Sequence, residues 1–299
     1  MRKSRLLFLG GAPKSGTSFL FDILSQHPNI CGAQPKETFY FVDANYPLAH
    51  PIYNYAQKGL AGFQQYFSPD VYSRYYLEGS THLLYQKKVL STLQQLDAQV
   101  LFILREPIQR LSSAFEYTKN RSAILKTDIP FETYVYTLLS GELKKIDAWV
   151  RPNVSYHFLK EELEFSTYHL HLQAWQRALG KKRVHVLQFE KVRAKPVECA
   201  KVIFQMLDLP NFEPDLQVSQ HETYQIQHRQ LHFYARQLNV LFPKNKFRQQ
   251  LRNWYFRMQK RPLTSTTISA SALASLQYYF QPHNTKLTKL ADIDLTLWA

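Results

Sequence analysis

A short apolar run, Arg5–Leu9, breaks into Gly10-Gly11-Ala12-Pro13-Lys14-Ser15-Gly16-Thr17-Ser18 and then into a segment whose apolar residues, Phe19, Leu20, Ile23 and Leu24, recur at helical spacing. Strand, glycine-rich loop and helix in that order constrain this chain more than any other feature. Gly10 and Gly11 allow a tight turn, and Gly16 lets the backbone approach a ligand without a Cβ in the way. Thr17 and Ser18 then open a helix whose first N–H groups have no partner within the helix, so the loop is built to hold an anion. Lys14 adds a mobile positive charge. The loop is not a Walker A sequence, in which the lysine immediately precedes Ser/Thr; here Gly16 and Thr17 occupy that stretch and Lys14 comes earlier.

The same alternation returns twice. Val100–Leu104 precedes a segment with apolar Ile108, Leu111 and Phe115, and Val184–Phe189 precedes one with Ala200, Ile203, Phe204 and Leu207. Near-continuous apolar strands alternating with helices predict a parallel sheet covered on both faces. The expected fold class is therefore α/β: a single P-loop-like domain over 1–299, with a central parallel sheet flanked by helices and long helical insertions over 40–95, 115–180 and 225–265. Ligands of such sheets bind at the carboxyl ends of the strands, which gathers the loops after Leu9, Leu104 and Phe189 on one edge.

Charge sharpens the ligand class. Of a formal net charge of +14, eleven positive charges lie between Glu222 and Asp292, a stretch with no acidic residue. Within it Phe247, Leu251, Trp254, Tyr255 and Met258 recur at helical spacing among Lys246, Arg248, Arg252 and Arg257, the pattern of a basic amphipathic helix. That segment reads either as a lid over an acceptor site or as a docking face for an acidic partner. Two cysteines, Cys31 and Cys199, are too few for a disulfide framework, and no metal-ligand spacing surrounds them. No apolar run approaches the length that crosses a bilayer, and the apolar stretch after Met1-Arg2-Lys3 is too short for a signal peptide. The default compartment is the cytoplasm.

Gly11-x-x-Lys14-x-Gly16-Thr17-Ser18 resembles the 5′-phosphosulfate loop of sulfotransferases that use PAPS (3′-phosphoadenosine 5′-phosphosulfate). Leu104-Arg105-Glu106-Pro107 through Ser113-Ala114-Phe115 resembles the same family's 3′-phosphate signature, an Arg-x-Pro turn with a serine eight residues beyond the arginine. A guanidinium leaving a strand end suits a phosphate, and Ser113 can add a hydroxyl about two helical turns on. Glu78-Gly79-Ser80-Thr81, the Tyr168–Leu172–Trp175 helix and a closing segment from Leu276 to Trp298 are softer likenesses. The resemblance implies donor contacts from Lys14, Ser15, Gly16, Thr17, Ser18, Arg105 and Ser113, adenosine 3′,5′-bisphosphate as product, and no metal.

Sulfuryl transfer to a hydroxyl also needs a base. Lys36-Glu37 followed by Thr38-Phe39-Tyr40-Phe41 resembles the Lys-Glu of heparan-sulfate-type enzymes, in which the glutamate is the catalytic base; a carboxylate among those rings would be partly desolvated. The bland alternative is a surface carboxylate paired with Lys36. The sequence departs from that pattern at Phe39, where a histidine is common, and at Gly79, where a lysine is common. His82 and His27 are competing bases. Lys14 and Glu37 are thus the expected catalytic pair, acting on an acceptor hydroxyl of a carbohydrate, a small molecule or a carrier-bound group, with an acidic glycan among the possible partners. A P-loop kinase using ATP and magnesium, and a non-enzymatic polyanion-binding protein, are the alternatives, neither of which needs both phosphate signatures.

Overall fold

A computed structural model of the chain describes residues 5–126, 128–152, 154, 156–217, 224–239, 246–262 and 267–298. Five parallel strands, β1 (Arg5–Gly11), β2 (Ile30–Gly32), β3 (Tyr75–Glu78), β4 (Ala98–Leu104) and β5 (Val184–Gln188), form one sheet in the order β2-β3-β1-β4-β5. Three of these strands were expected at nearly these bounds. The other two fall where the sequence shows little: β2 has three residues, and β3 ends in the charged Glu78 inside a stretch expected to be helical.

Period-two alternation along the central strands explains the layering. Leu7, Leu9, Leu101 and Ile103 turn to one face, where they pack with Leu20, Phe21, Ile23 and Leu24 of the helix Thr17–Leu24 and with Ala200, Ile203, Phe204 and Leu207 of the helix region that follows Pro196. Phe8 and Phe102 turn to the other. Phe8 meets Phe41 at 5.1 Å and Phe63 at 6.0 Å, and Phe102 meets Trp175 edge-on at 5.2 Å. Every one of these strand residues is fully buried, which is what a sheet covered on both faces requires.

The chain divides into two compact units. The first holds the sheet and comprises 1–110, 167–221 and 280–299; the second comprises 111–166 and 222–279. The second is built from helices around rings, with Phe115 stacked on Tyr134 at 4.9 Å and Phe131 beside both. A two-stranded antiparallel ribbon, β6 (Tyr224–Ile226) and β7 (Lys260–Pro262), flanks the helices Arg229–Asn239 and Lys246–Gln259. The helical character expected over 225–265 is thus present, while 240–245 and 263–266 lie outside the described residues. No helix among the described residues is long and apolar enough to cross a membrane.

Candidate active site

All five strands run the same way, so the loops after β1, β2, β3, β4 and β5 emerge on one edge. The loop after β1 is anchored by Ala12, whose N–H donates to the Ile103 carbonyl at 2.8 Å. Lys14 follows with φ 69°, a left-handed conformation that costs a non-glycine residue about 1–2 kcal/mol. Gly16 takes φ 81° at the N-cap of the helix Thr17–Leu24, and a Cβ there would stand 2.8 Å from the Phe189 ring.

Two helices on this edge are started differently. The helix Pro107–Glu116 is capped by Glu106, whose carboxylate accepts from the backbone N–H of Ile108 at 2.9 Å and of Gln109 at 2.5 Å. The helix Thr17–Leu24 has no side-chain cap. Beside its open end, the Ser15 hydroxyl is fully buried and has no hydrogen-bond partner among the described residues. A buried polar group left unmatched is costly unless something else fills its place. Both features match an oxyanion ligand.

Arg105 leaves β4 toward this loop. Its Nη1 donates to the Lys14 carbonyl at 3.3 Å, and its guanidinium lies 5.1 Å from the Phe189 ring centroid. Burial pulls the guanidinium's pKa down, against the opposing effect of nearby Tyr168, Glu190 and Glu106. Behind it, the Tyr168 hydroxyl donates to the Arg105 carbonyl at 2.9 Å. Glu190 accepts from the Glu106 N–H at 3.0 Å and from the Trp298 indole at 2.9 Å, joining the loops after β4 and β5 to the end of the chain. Phe189, as floor beneath both Gly16 and Arg105, is a site residue that sequence reasoning assigned only to the end of a strand. Ser113 lies on the helix Pro107–Glu116, half-buried and in the second unit.

The loop after β2 carries Glu37. Lys36 Nζ donates to Glu37 Oε1 at 2.8 Å and to the Gly79 carbonyl at 3.0 Å. The ion pair is only partly exposed, with 19% and 32% of the two side chains open to solvent. Of the three rings expected around Glu37, Tyr40 and Phe41 pack on Phe63 at 5.6 Å and 4.8 Å. The partner of the Glu37 carboxylate is the Lys36 ammonium, while burying the Tyr40 and Phe41 rings against the sheet gains more apolar contact than a loop could offer.

Glu78 holds this arrangement from beneath. Fully buried at the end of β3, its carboxylate accepts from the Thr38 N–H and hydroxyl, both at 2.9 Å, from the Ser80 N–H at 2.9 Å, and from the Ser80 hydroxyl. Burial pushes its pKa up while these donors pull it down. One carboxylate therefore ties the residue after Glu37 to the loop after β3. That loop in turn abuts the anion loop, since the Thr81 carbonyl lies 2.6 Å from where a Cβ of Gly11 would stand.

The competing histidines occupy other roles. His27 is buried, with Nε2 3.0 Å from the Pro210 carbonyl and Nδ1 accepting from the Asn29 N–H at 3.0 Å. Both ring nitrogens are engaged in structure. His82 Nδ1 lies 2.7 Å from the Tyr46 hydroxyl. Burial, and secondarily the charge of Arg110, pushes the His82 pKa down to about 3, which makes it a weak acceptor for a hydroxyl proton.

A parallel α/β sheet whose first strand runs into a glycine-bearing loop and an uncapped helix, with an arginine delivered to that loop from the neighbouring strand, defines a P-loop-like fold. The sulfotransferase domain profile matches residues 5–265, and the chain belongs to that family of PAPS-dependent enzymes. Among solved structures, a sulfotransferase from Alicyclobacillus acidocaldarius is similar over 99% of both chains, with 19% identity and a TM-score of 0.69. A mouse sulfotransferase complexed with PAP is similar over 97% of this chain and 84% of its own, at 12% identity and a TM-score of 0.41. A retinol dehydratase in complex with androsterone and PAP is similar over 98% and 84%, at 9% identity and a TM-score of 0.43. No curated protein matches the chain in sequence.

Proposed function

We propose that this sulfotransferase binds PAPS on the loop 11–18 and transfers its sulfuryl group to an acceptor hydroxyl, with Lys14 as the electrostatic catalyst and Glu37 as the base. The observation that carries the donor assignment is the buried, unpartnered Ser15 hydroxyl beside the open N-terminus of the helix Thr17–Leu24. Bound there, PAPS would supply the sulfuryl group and a phosphate leaving group. The N–H groups of Gly16, Thr17 and Ser18, with the Ser15, Thr17 and Ser18 hydroxyls, are the donors for its 5′ end. Arg105 is the guanidinium for the 3′-phosphate, and Ser113 the hydroxyl that accompanies it. Lys14 offsets negative charge that develops on the departing phosphate oxygen.

Glu37 takes the acceptor proton. It is held rather than freely rotating: Lys36 fixes its carboxylate and Glu78 fixes the loop that bears it. Such preorganisation lets the carboxylate meet the hydroxyl without first reordering. An uncharged small-molecule or carbohydrate hydroxyl is the acceptor class consistent with a base already paired to one cation.

Titration calorimetry tests the donor. Adenosine 3′,5′-bisphosphate should bind without magnesium and more tightly than ATP with magnesium, and Arg105→Ala should weaken the first titration. Preference for ATP and magnesium would overturn the reading in favour of a kinase. Binding of any polyanion, insensitive to Arg105→Ala and abolished by salt, would point to non-enzymatic anion binding.

A further inference from the structure

The helix Lys246–Gln259 has an inner and an outer side, and the proposed chemistry uses neither. Inside, Tyr255 stacks on His232 of the helix Arg229–Asn239 with centroids 5.8 Å apart and planes 13° apart, and its hydroxyl lies 3.2 Å from His232 Nδ1. Gln259 is buried, its side-chain oxygen accepting from the His228 N–H at 3.0 Å. These contacts fix the rotation of the helix about its axis.

Outside, Leu251, Trp254 and Met258 stand at positions i, i+3 and i+7, one stripe of an α-helix. They are 52%, 59% and 55% exposed. Arg257 is exposed, three residues from Trp254 and one from Met258, and Lys260 and Arg261 are exposed just beyond the helix. No acidic side chain intervenes anywhere between Glu222 and Asp292. Single exposed apolar residues are ordinary on a protein surface; three large ones on one stripe, with cations as the only charges in the surrounding sequence, are not.

We infer that this stripe docks the protein on an anionic lipid bilayer, with Leu251, Trp254 and Met258 entering the headgroup boundary and Arg257, Lys260 and Arg261 meeting lipid phosphates. Both halves of the surface choose this occupant. A soluble acidic polymer would satisfy the cations and leave the three apolar side chains in water. A neutral bilayer would take the apolar side chains and leave the charge unmatched. A helix that lies in the interface with Trp and Leu on one side and Arg and Lys beside them satisfies both. Spanning plays no part, since no described helix has the required apolar length.

The test is co-sedimentation of the full chain with vesicles of phosphatidylcholine alone or mixed with phosphatidylglycerol, followed by tryptophan fluorescence. Binding should require the anionic lipid and weaken with salt. It should fall about fivefold for each cation removed, hence about 25-fold in Arg257→Gln/Arg261→Gln. Trp254→Ala should weaken binding and abolish the blue shift that bilayer insertion gives an exposed indole. Leu251→Ser/Met258→Ser should weaken binding without touching the charge. Unchanged thermal unfolding of each variant shows that folding is not the cause. Indifference to lipid charge, or no binding to either vesicle, would overturn the proposal. So would binding to soluble heparin or to an acidic protein that matches or exceeds vesicle binding and survives Trp254→Ala.

Discussion

The Lys36 ammonium sits 2.8 Å from Glu37 Oε1 while also donating to the Gly79 carbonyl, so the proposed base and its neighbour in sequence are locked to the loop after β3. Glu37→Gln keeps an oxygen for Lys36 and removes only the proton acceptor. It should lower kcat by ~10²–10⁴ and leave adenosine 3′,5′-bisphosphate binding nearly intact. Lys36→Met keeps the base and removes its tether, and should cost kcat about tenfold, the scale of a modest misplacement. Calorimetry and steady-state rates on the two variants separate the roles; near-normal turnover in Glu37→Gln would remove Glu37 from the mechanism.

Lys14 is asked to act only as charge builds on the leaving phosphate. Lys14→Ala should therefore reduce kcat by ~10²–10³, the range for losing one transition-state donor, with a much smaller change in product affinity. A loss confined to donor affinity would make it a binding residue instead.

Ser15→Ala should act in opposite directions on stability and affinity. The buried hydroxyl has no partner among the described residues, so its removal should raise the stability of the ligand-free enzyme by about 1 kcal/mol. The same change removes a donor to a charged ligand and should weaken adenosine 3′,5′-bisphosphate by about tenfold or more. Thermal melts with and without ligand read both signs at once. A variant that is less stable and binds normally would mean that the hydroxyl serves the fold.

His82 should mark the acid limb of stability. Its folded-state pKa of about 3 lies below the ordinary 6.5, so between those values the unfolded chain binds a proton that the folded chain does not. The contribution is complete above pH 6.5 and is lost as pH falls toward 3, with a slope of up to about 1.4 kcal/mol per pH unit. Urea melts of His82→Gln should show a flatter decline across that window than the natural chain. Parallel declines would mean that His82 is accessible to protons in the folded state.

What the sequence made legible followed from local pattern. Arg5–Leu9 and Val100–Leu104 read as strands because nearly every residue is apolar, and the loop between Gly10 and Ser18 read as an anion site because glycine, lysine and hydroxyls fall where a helix begins. β3 stayed hidden because its last residue is a glutamate, and a charge at a strand end makes sense only once Thr38 and Ser80 are seen to donate to it. Phe189 stayed hidden for a different reason. Its role depends on Gly16 and Arg105, distant in sequence and adjacent only when β1, β4 and β5 pair. The surroundings of Glu37 were legible only in part, because neighbours in sequence need not be neighbours in space: Tyr40 and Phe41 turn into the core and Lys36 turns toward the carboxylate.

Gly79 offers the most discriminating test of the Lys36 tether. A Cβ at this position would stand 2.8 Å from Lys36 Cγ, 3.1 Å from Lys36 Cε and 3.0 Å from the Phe21 ring. Phe21 is buried in the core and gives little room, so Gly79→Ala must displace the lysine stem and with it the contact to Glu37. Turnover should drop about tenfold, as for Lys36→Met, because both variants release the same carboxylate. The two losses should not add: once Lys36 is methionine, whose flexible chain can move aside, the alanine has no ammonium left to displace. The double-mutant cycle on kcat should show a coupling close to the whole effect of either single change. Simple multiplication of the two losses would mean that Gly79 acts on the site by some route other than Lys36.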